Sequence, residues 1–403
     1  MLLSGFVVVD RFGRKVTVLA GALMFIAGGA WTLLNPVQPF ILPLLARGVQ
    51  GVGIGALAFA IPLLWVELAP KRSRGFLGAM LSVMLCIGWF LWFLIKVTKE
   101  TESLREHWQR IYVFVLLLAA MFMLGTCLTV RKSPRWILSA EDVQAAEAVL
   151  QRVRRTPNVQ LELQAIATEA LAETRQAKLT DSNVLKRIAI AFVLQSLQQF
   201  FSLAMIVTVT DAVYSIDREL SDRDDKDTSP VTTFEVLAHD LDSIKGIVAM
   251  LMVLSSLVSL CLVDRAGRRN LLMVDAVFMA VCHAVSDVTV LKSCHGQIFG
   301  RDCDNSSPLF LIALILPTCY GFSWGAVVWI YPFEMFPTEV RAKGVALSSA
   351  ASFAVVMAIK KIYVELCRVP FVALGCCLLS VPFVFLCCPE TKRLSLEKAA
   401  ALF

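Results

Sequence analysis

The sequence predicts an all-α membrane protein built from two pseudo-symmetric helical bundles with about ten complete spans. Three observations carry that expectation. Hydrophobic residues make up 57% of the 403-residue chain and charged ones 17%. With a mean hydropathy of +0.70, that is more apolar surface than a soluble core of ordinary size hides, so lipid must take up the rest. Apolar runs recur at lengths that cross a hydrocarbon layer at about 1.5 Å per residue. Finally, one pattern of charges and glycines occurs twice, half a chain apart.

The apolar runs lie at 16–34, 40–66, 75–95, 109–130, 186–210, 244–263, 270–291, 309–331, 344–363 and 369–388. Residues 2–9 read as the end of a helix that is cut short. In the second half, two spans precede the Asp264 turn and four follow it. In the first half only residues 2–9 precede the matching turn, so nearly two spans are expected to be missing at the N-terminus. The hairpin 344–388, with Lys360 and Lys361 in it, leaves little room for two helices and a loop, and predicts a shortened span at 344–363.

Charge sets the orientation. The segments 10–15, 70–75, 131–187, 264–269, 332–343 and 389–403 hold 24 of the 38 Lys and Arg residues, which places them on the cytoplasmic side. This divides the chain into a first bundle (1–130), a cytoplasmic helical linker (131–183), a second bundle (184–388) and a cytoplasmic tail (389–403). In the linker, Ala145, Ala146, Ala148, Val149 and Leu150 alternate with charges, and a second helical stretch is expected over 160–178. Residues 211–242, with ten acids, read as a solvated outer loop. The sequon at Asn305 and a potential disulfide between Cys294 and Cys303 fit an outer loop as well.

Several classes of function are disfavoured. The four histidines are scattered and the cysteines lack a paired zinc spacing, so no metal site is expected. Membrane flanks explain the positive charge, and a nucleic-acid partner is unwarranted. No nucleophile, base and acid spacing and no cofactor loop points to an enzyme. Gly51, Gly53 and Gly55 lie inside a span, where helix packing accounts for them.

The repeated pattern is specific. Asp10-Arg11-Phe12-Gly13-Arg14-Lys15 returns as Asp264-Arg265-Ala266-Gly267-Arg268-Arg269. Glu67, Pro70, Arg74 and Gly75 return as Glu334, Pro337, Arg341 and Gly344. Acids and bases at cytoplasmic helix ends can pair in one arrangement of the helices and part in another. Asp10, Arg11, Arg14, Glu67 and Arg74, with Asp264, Arg265, Arg268, Glu334 and Arg341, are therefore candidates for an inner latch. The alternative is simple anchoring of topology, which suits Lys71 and Arg72.

Polar side chains inside apolar helices need a partner or a wet cavity. Gln195 and Gln199 are four residues apart on one helical face, and Gln198 lies beside them. This amide patch either contacts a solute or bonds between helices.

These residues together resemble the sugar porter branch of the major facilitator superfamily, from its third to its twelfth helix. The ordered motifs are Asp10–Lys15, Arg47 with Gly51 and Gly55, Glu67 to Gly75, Ser133-Pro134-Arg135-Trp136, Gln198-Gln199, Asp264–Arg269, Trp329 with Glu334 and Pro337, and Pro389-Glu390-Thr391-Lys392. The resemblance implies transport of a hexose or related polyol by alternating access, as facilitator or proton symporter, in the plasma membrane or, as the alternative, a vacuolar or other internal membrane. It adds Arg47 to the charge network. It assigns Gln198, Gln199 and Trp329 to the solute, and sets Ser352-Phe353 where the family carries an Asn-Trp pair. Ser82, Ser202 and Ala204 also replace family polar or glycine positions. The implied partners are a small neutral monosaccharide, a co-transported proton and membrane lipid, with no cofactor. The competing expectation is a non-transporting paralogue or sugar sensor.

Overall fold

Helices account for every regular element among the described residues, as hydrocarbon requires, because a helix satisfies its own N–H and C=O groups. The computed structural model describes residues 4–34, 41–70, 72–97, 104–129, 133–139, 142–173, 179–224, 241–293, 307–369 and 371–403. Cys294, Cys303 and Asn305 lie outside them.

Two short helical turns, Ser4–Val8 and Val9–Phe12, lead into the first bundle. It consists of α1 (Arg14–Leu34), α2 (Ile41–Leu68), α3 (Arg74–Val97) and α4 (Leu104–Thr129). The linker supplies α5 (Pro134–Ser139), α6 (Val143–Arg154) and α7 (Gln160–Glu173). The second bundle holds α8 (Ser182–Asp224), α9 (Leu241–Ala266), α10 (Arg268–Ser293), α11 (Ser307–Phe322), α12 (Trp324–Met335), α13 (Thr338–Arg368) and α14 (Val372–Cys387). A last turn, α15, covers Leu396–Ala401. Among the described residues eight stretches are long and apolar enough to cross a membrane, and α14 is apolar but shorter.

Small residues set the helix spacing. A Cβ on Gly53 would lie 2.6 Å from the Gly21 carbonyl oxygen, and one on Gly28 2.7 Å from that of Ala46, so α1 and α2 meet backbone to backbone. Gly51, by contrast, faces open space, so the packing explanation holds for only one of these two glycines. Between the bundles, Gly78 of α3 receives Ile330 of α12, and Gly5 receives Ala342 and Ala346 of α13. The core runs across this contact, through Phe59, Leu63, Leu194, Phe201, Trp324, Tyr331 and Phe333.

The linker has its own small core of Ile137, Ala146, Leu150, Val159 and Leu163. Two arginines fix it to the cytoplasmic end of α2. Arg135 Nη1 donates to the Glu67 carbonyl at 2.7 Å, and Arg154 Nη1 to that of Leu68 at 3.0 Å. Arg154 also pairs with Glu162 at 2.8 Å.

Four features correct the sequence expectation. The run 309–331 is not one helix: it breaks at Ser323 into α11 and α12. The span expected to be short is instead the 31-residue α13. Its first turns carry Glu339, Arg341 and Lys343, charges that hide a helix from a search for apolar runs. The short span is α14, 16 residues between a left-handed Phe371 and an extended Cys388. Finally, α8 continues to Asp224, into the acidic stretch expected to be loop.

Candidate functional site

The ends of the two bundles nearest the linker carry matching buried ion pairs. In the first bundle Arg14 grips Glu67, with Nη2 donating to Oε1 at 2.9 Å and Nε to Oε2 at 3.0 Å. In the second, Arg268 Nη2 reaches Glu334 Oε1 at 3.2 Å and Nη1 reaches Asp264 at 3.0 Å. The second carboxylate oxygen of Glu334 accepts from Thr391 Oγ1 at 2.6 Å. Glycine is required at both turns. Gly13 (φ 86°) lies against the Trp136 ring, and Gly267 (φ 96°) against the Glu390 carboxylate, in backbone conformations that disfavour a Cβ.

Other contacts join the bundles. Asp264, at the end of α9, accepts the first-turn amides of α3: Gly75 N at 3.1 Å and Phe76 N at 2.9 Å. A carboxylate at a helix N-terminus is favoured by the orphan N–H groups and the helix dipole. At the mirrored position, Asp10 meets Lys343 of α13 at 3.7 Å. Burial pushes the Asp10 carboxyl above the ordinary aspartate value, against the pull of Arg14 and Lys343. Arg74, buried in the first bundle, donates to the Leu394 carbonyl of the tail at 2.9 Å. Arg341, equally buried, donates Nε to the Phe336 carbonyl at 3.1 Å, and its charge acts across the halves on Glu67.

Three expected members stand outside this network. Arg11 and Arg265 are exposed; Arg11 lies over the ring of Phe12, and Arg265 contributes only its carbonyl, to Lys392. Arg47 precedes Glu67 by 20 residues on α2, about 30 Å along the axis. It covers the Tyr112 ring at 5.6 Å, while Tyr112 donates its hydroxyl to Gln50 at 3.1 Å. Distance along the helix excludes it from the inner latch.

The amide patch is divided in its use. Gln195 Nε2 donates to Ser349 Oγ of α13 at 2.8 Å, and Gln198 Nε2 to the Trp324 carbonyl at 3.1 Å. Two of the three amides therefore bond between helices. Gln199 is half-buried and makes no hydrogen bond with a described residue. Trp329 is the one residue of α12 that is not buried; its ring lies 6.3 Å from that of Phe353, and its indole N–H makes no hydrogen bond with a described residue. Ser352, from the same replaced pair as Phe353, turns back onto the Ser349 carbonyl.

Sequence reasoning missed Trp324 and Asp275. Trp324 is fully buried and joins three helices: its carbonyl accepts from Gln198 on α8, its indole donates to the Leu272 carbonyl at 3.1 Å, and its backbone N–H donates to Asp275 on α10 at 3.3 Å. An acid seven residues into a largely apolar span, which holds His283 and Asp287 as well, was the available signal. Glu390, which accepts from Arg268 N and Arg269 N at 3.0 and 3.1 Å, was legible as part of a motif but not as a cap.

The family described as Sugar (and other) transporter matches residues 2–215 and 230–403. The chain belongs to this family. It is a multi-pass integral membrane protein with the fold of a transporter. The low-affinity glucose transporter HXT3 of Saccharomyces cerevisiae is 26% identical over 98% of this chain and 69% of its own. Among solved structures, the proton:xylose symporter XylE bound to 6-bromo-6-deoxy-D-glucose shares the fold with a TM-score of 0.78 at 20% identity, covering 100% of this chain and 85% of its own. The inward-open form of XylE from E. coli, with the same identity and coverage, superposes at 0.60.

Proposed function

We propose that this transporter carries a hexose or related neutral polyol across the plasma membrane by alternating access between the bundles 1–130 and 184–388, with 131–183 as a cytoplasmic brace. The solute contacts are Gln199 and Trp329, flanked by Phe353 and positioned by Gln195 and Gln198. The gate is Asp10, Arg14, Glu67 and Arg74 with Asp264, Arg268, Glu334 and Arg341. The glucose named for the yeast relative, and the sugar in the neighbouring structure, support the choice of solute.

The observation that carries this reading is the pair of uncommitted groups. An amide donates to and accepts from hydroxyls, and an indole covers an apolar sugar face while its N–H takes one hydroxyl. Gln199 and Trp329 are free to do both, whereas their neighbours Gln195 and Gln198 are held by the fold. Outward of the gate, such a site fills while the cytoplasmic side is shut; parting of the Asp264 and Asp10 contacts then releases solute inward.

The test is saturable uptake of labelled glucose by proteoliposomes holding the full chain, competed by unlabelled hexoses. Uptake that Gln199→Ala and Trp329→Ala weaken is expected. Binding without flux, or no competed uptake, contradicts the proposal. A protonophore separates downhill movement from proton-driven movement.

A further inference from the structure

We propose that Asp275 is a proton-binding carboxyl in this transporter, and that its protonation sets the position of α12 and so couples pH to solute movement. The inference rests on the transport reading above.

Asp275 lies seven residues into α10, about 10 Å from the cytoplasmic end of that helix, and is 2% exposed. Among the described residues its surroundings hold no compensating charge. Cys282 shares its helix, Cys319 and Tyr320 face it from α11, and Cys377 from α14. His283, two turns farther along α10, is buried as well but does not act on the carboxyl. Among the described residues no Lys, Arg or His does so. An ionised carboxylate set in such a place is costly, and uptake of one proton from water on the open side removes the charge.

What makes this carboxyl more than a buried polar group is its one described hydrogen-bond partner. Asp275 Oδ2 accepts the backbone N–H of Trp324 at the point where α11 and α12 part. As a carboxylate it holds that amide by a charge-assisted bond; as a carboxylic acid it holds it less strongly and gains an O–H of its own. Trp324 opens α12, a 12-residue helix that carries Trp329 in its middle and Glu334 near its end. The same residue is tied through its carbonyl to Gln198 on α8. A proton on Asp275 therefore loosens one end of an element that reaches both the solute contacts and the gate. No covalent bond changes in this step beyond the O–H that forms.

Infrared difference spectra of proteoliposomes between acid and alkaline pH provide a test that does not depend on the solute. The wild-type chain is expected to show a carboxylic-acid C=O band that Asp275→Asn removes and Asp275→Glu shifts. In parallel, labelled glucose uptake by wild type is expected to vary with pH, and Asp275→Asn to lose that variation. Difference spectra of wild type and Asp275→Asn that match throughout the carboxylic-acid C=O region overturn the proposal, as does an unchanged pH profile of uptake. Absence of hexose uptake in the wild type rejects the solute assignment instead, and the infrared band then decides the role of Asp275 by itself.

Discussion

The two bundles repeat a buried arginine and glutamate pair but differ in what surrounds it. In the second half, Glu390 caps the two amides that open α10, and Asp264 caps two more across the interface. In the first half, Trp136 occupies the place beside Gly13 that Glu390 takes beside Gly267, and donates its indole N–H to the Asp10 carbonyl. Among the described residues Asp10 itself makes an ion pair with a half-exposed lysine, at 3.7 Å. Buried charges must be paired wherever the fold repeats them, so the pair is duplicated. The surrounding contacts carry no such requirement and have diverged. A carboxylate on two backbone amides is held more firmly than a half-exposed ion pair, so the gate we propose is asymmetric: the Asp264 side is the strong seal and the Asp10 side the weak one.

The largest effect is expected where the halves agree. Arg14→Ala and Arg268→Ala each take the guanidinium from a buried glutamate and should cost about 3–5 kcal/mol in denaturant unfolding of the detergent-solubilised chain, with the larger loss at Arg268, which also holds Asp264. A smaller loss at Arg268 than at Arg14 would break the comparison. Gly75→Ala comes next: its Cβ would lie 2.4 Å from Asp264 Oδ1, and overpacking at the strong seal should cost about 1–3 kcal/mol and raise labelling of cytoplasmic cysteines. Gln199→Ala lies away from both seals. Losing one hydrogen bond of about 0.5–1.5 kcal/mol should weaken solute affinity roughly 2–13-fold, read as the half-saturation of uptake, with stability unchanged. Asp10→Ala is the smallest, about 0–1 kcal/mol, and an effect on opening as large as that of Asp264→Ala would cancel the asymmetry.

Much of this was legible in the sequence, because membrane spans and positive flanks are properties of runs. The duplicated turn, the two sets of charges and the amide patch could all be read from residue type and spacing, but that Arg14 takes Glu67 and Arg268 takes Glu334 could not. The failures share a cause: they depend on one residue in context. The break at Ser323 sits inside a run that remains apolar throughout. The start of α13 is hidden by Glu339, Arg341 and Lys343, whose charges are satisfied at a helix end. Arg47 carries the right charge but sits at the wrong end of α2, which spacing along that helix alone could have shown. Which amide is held and which is free, Gln198 or Gln199, depends on Trp324, a partner 126 residues away.

The central claim is that carboxylates on the inner side hold the bundles together in the state seen here, and that solute transfer requires their release. Spin labels at Arg72→Cys and Arg265→Cys, both exposed and on opposite bundles, report that separation by double electron resonance in lipid nanodiscs. With the exposed Cys127 and Cys261 replaced by serine, a single short distance is expected, and a population at longer distance when Asp264→Ala removes the cap on α3, worth about 0.5–2 kcal/mol. An unchanged short distance in Asp264→Ala would contradict the account.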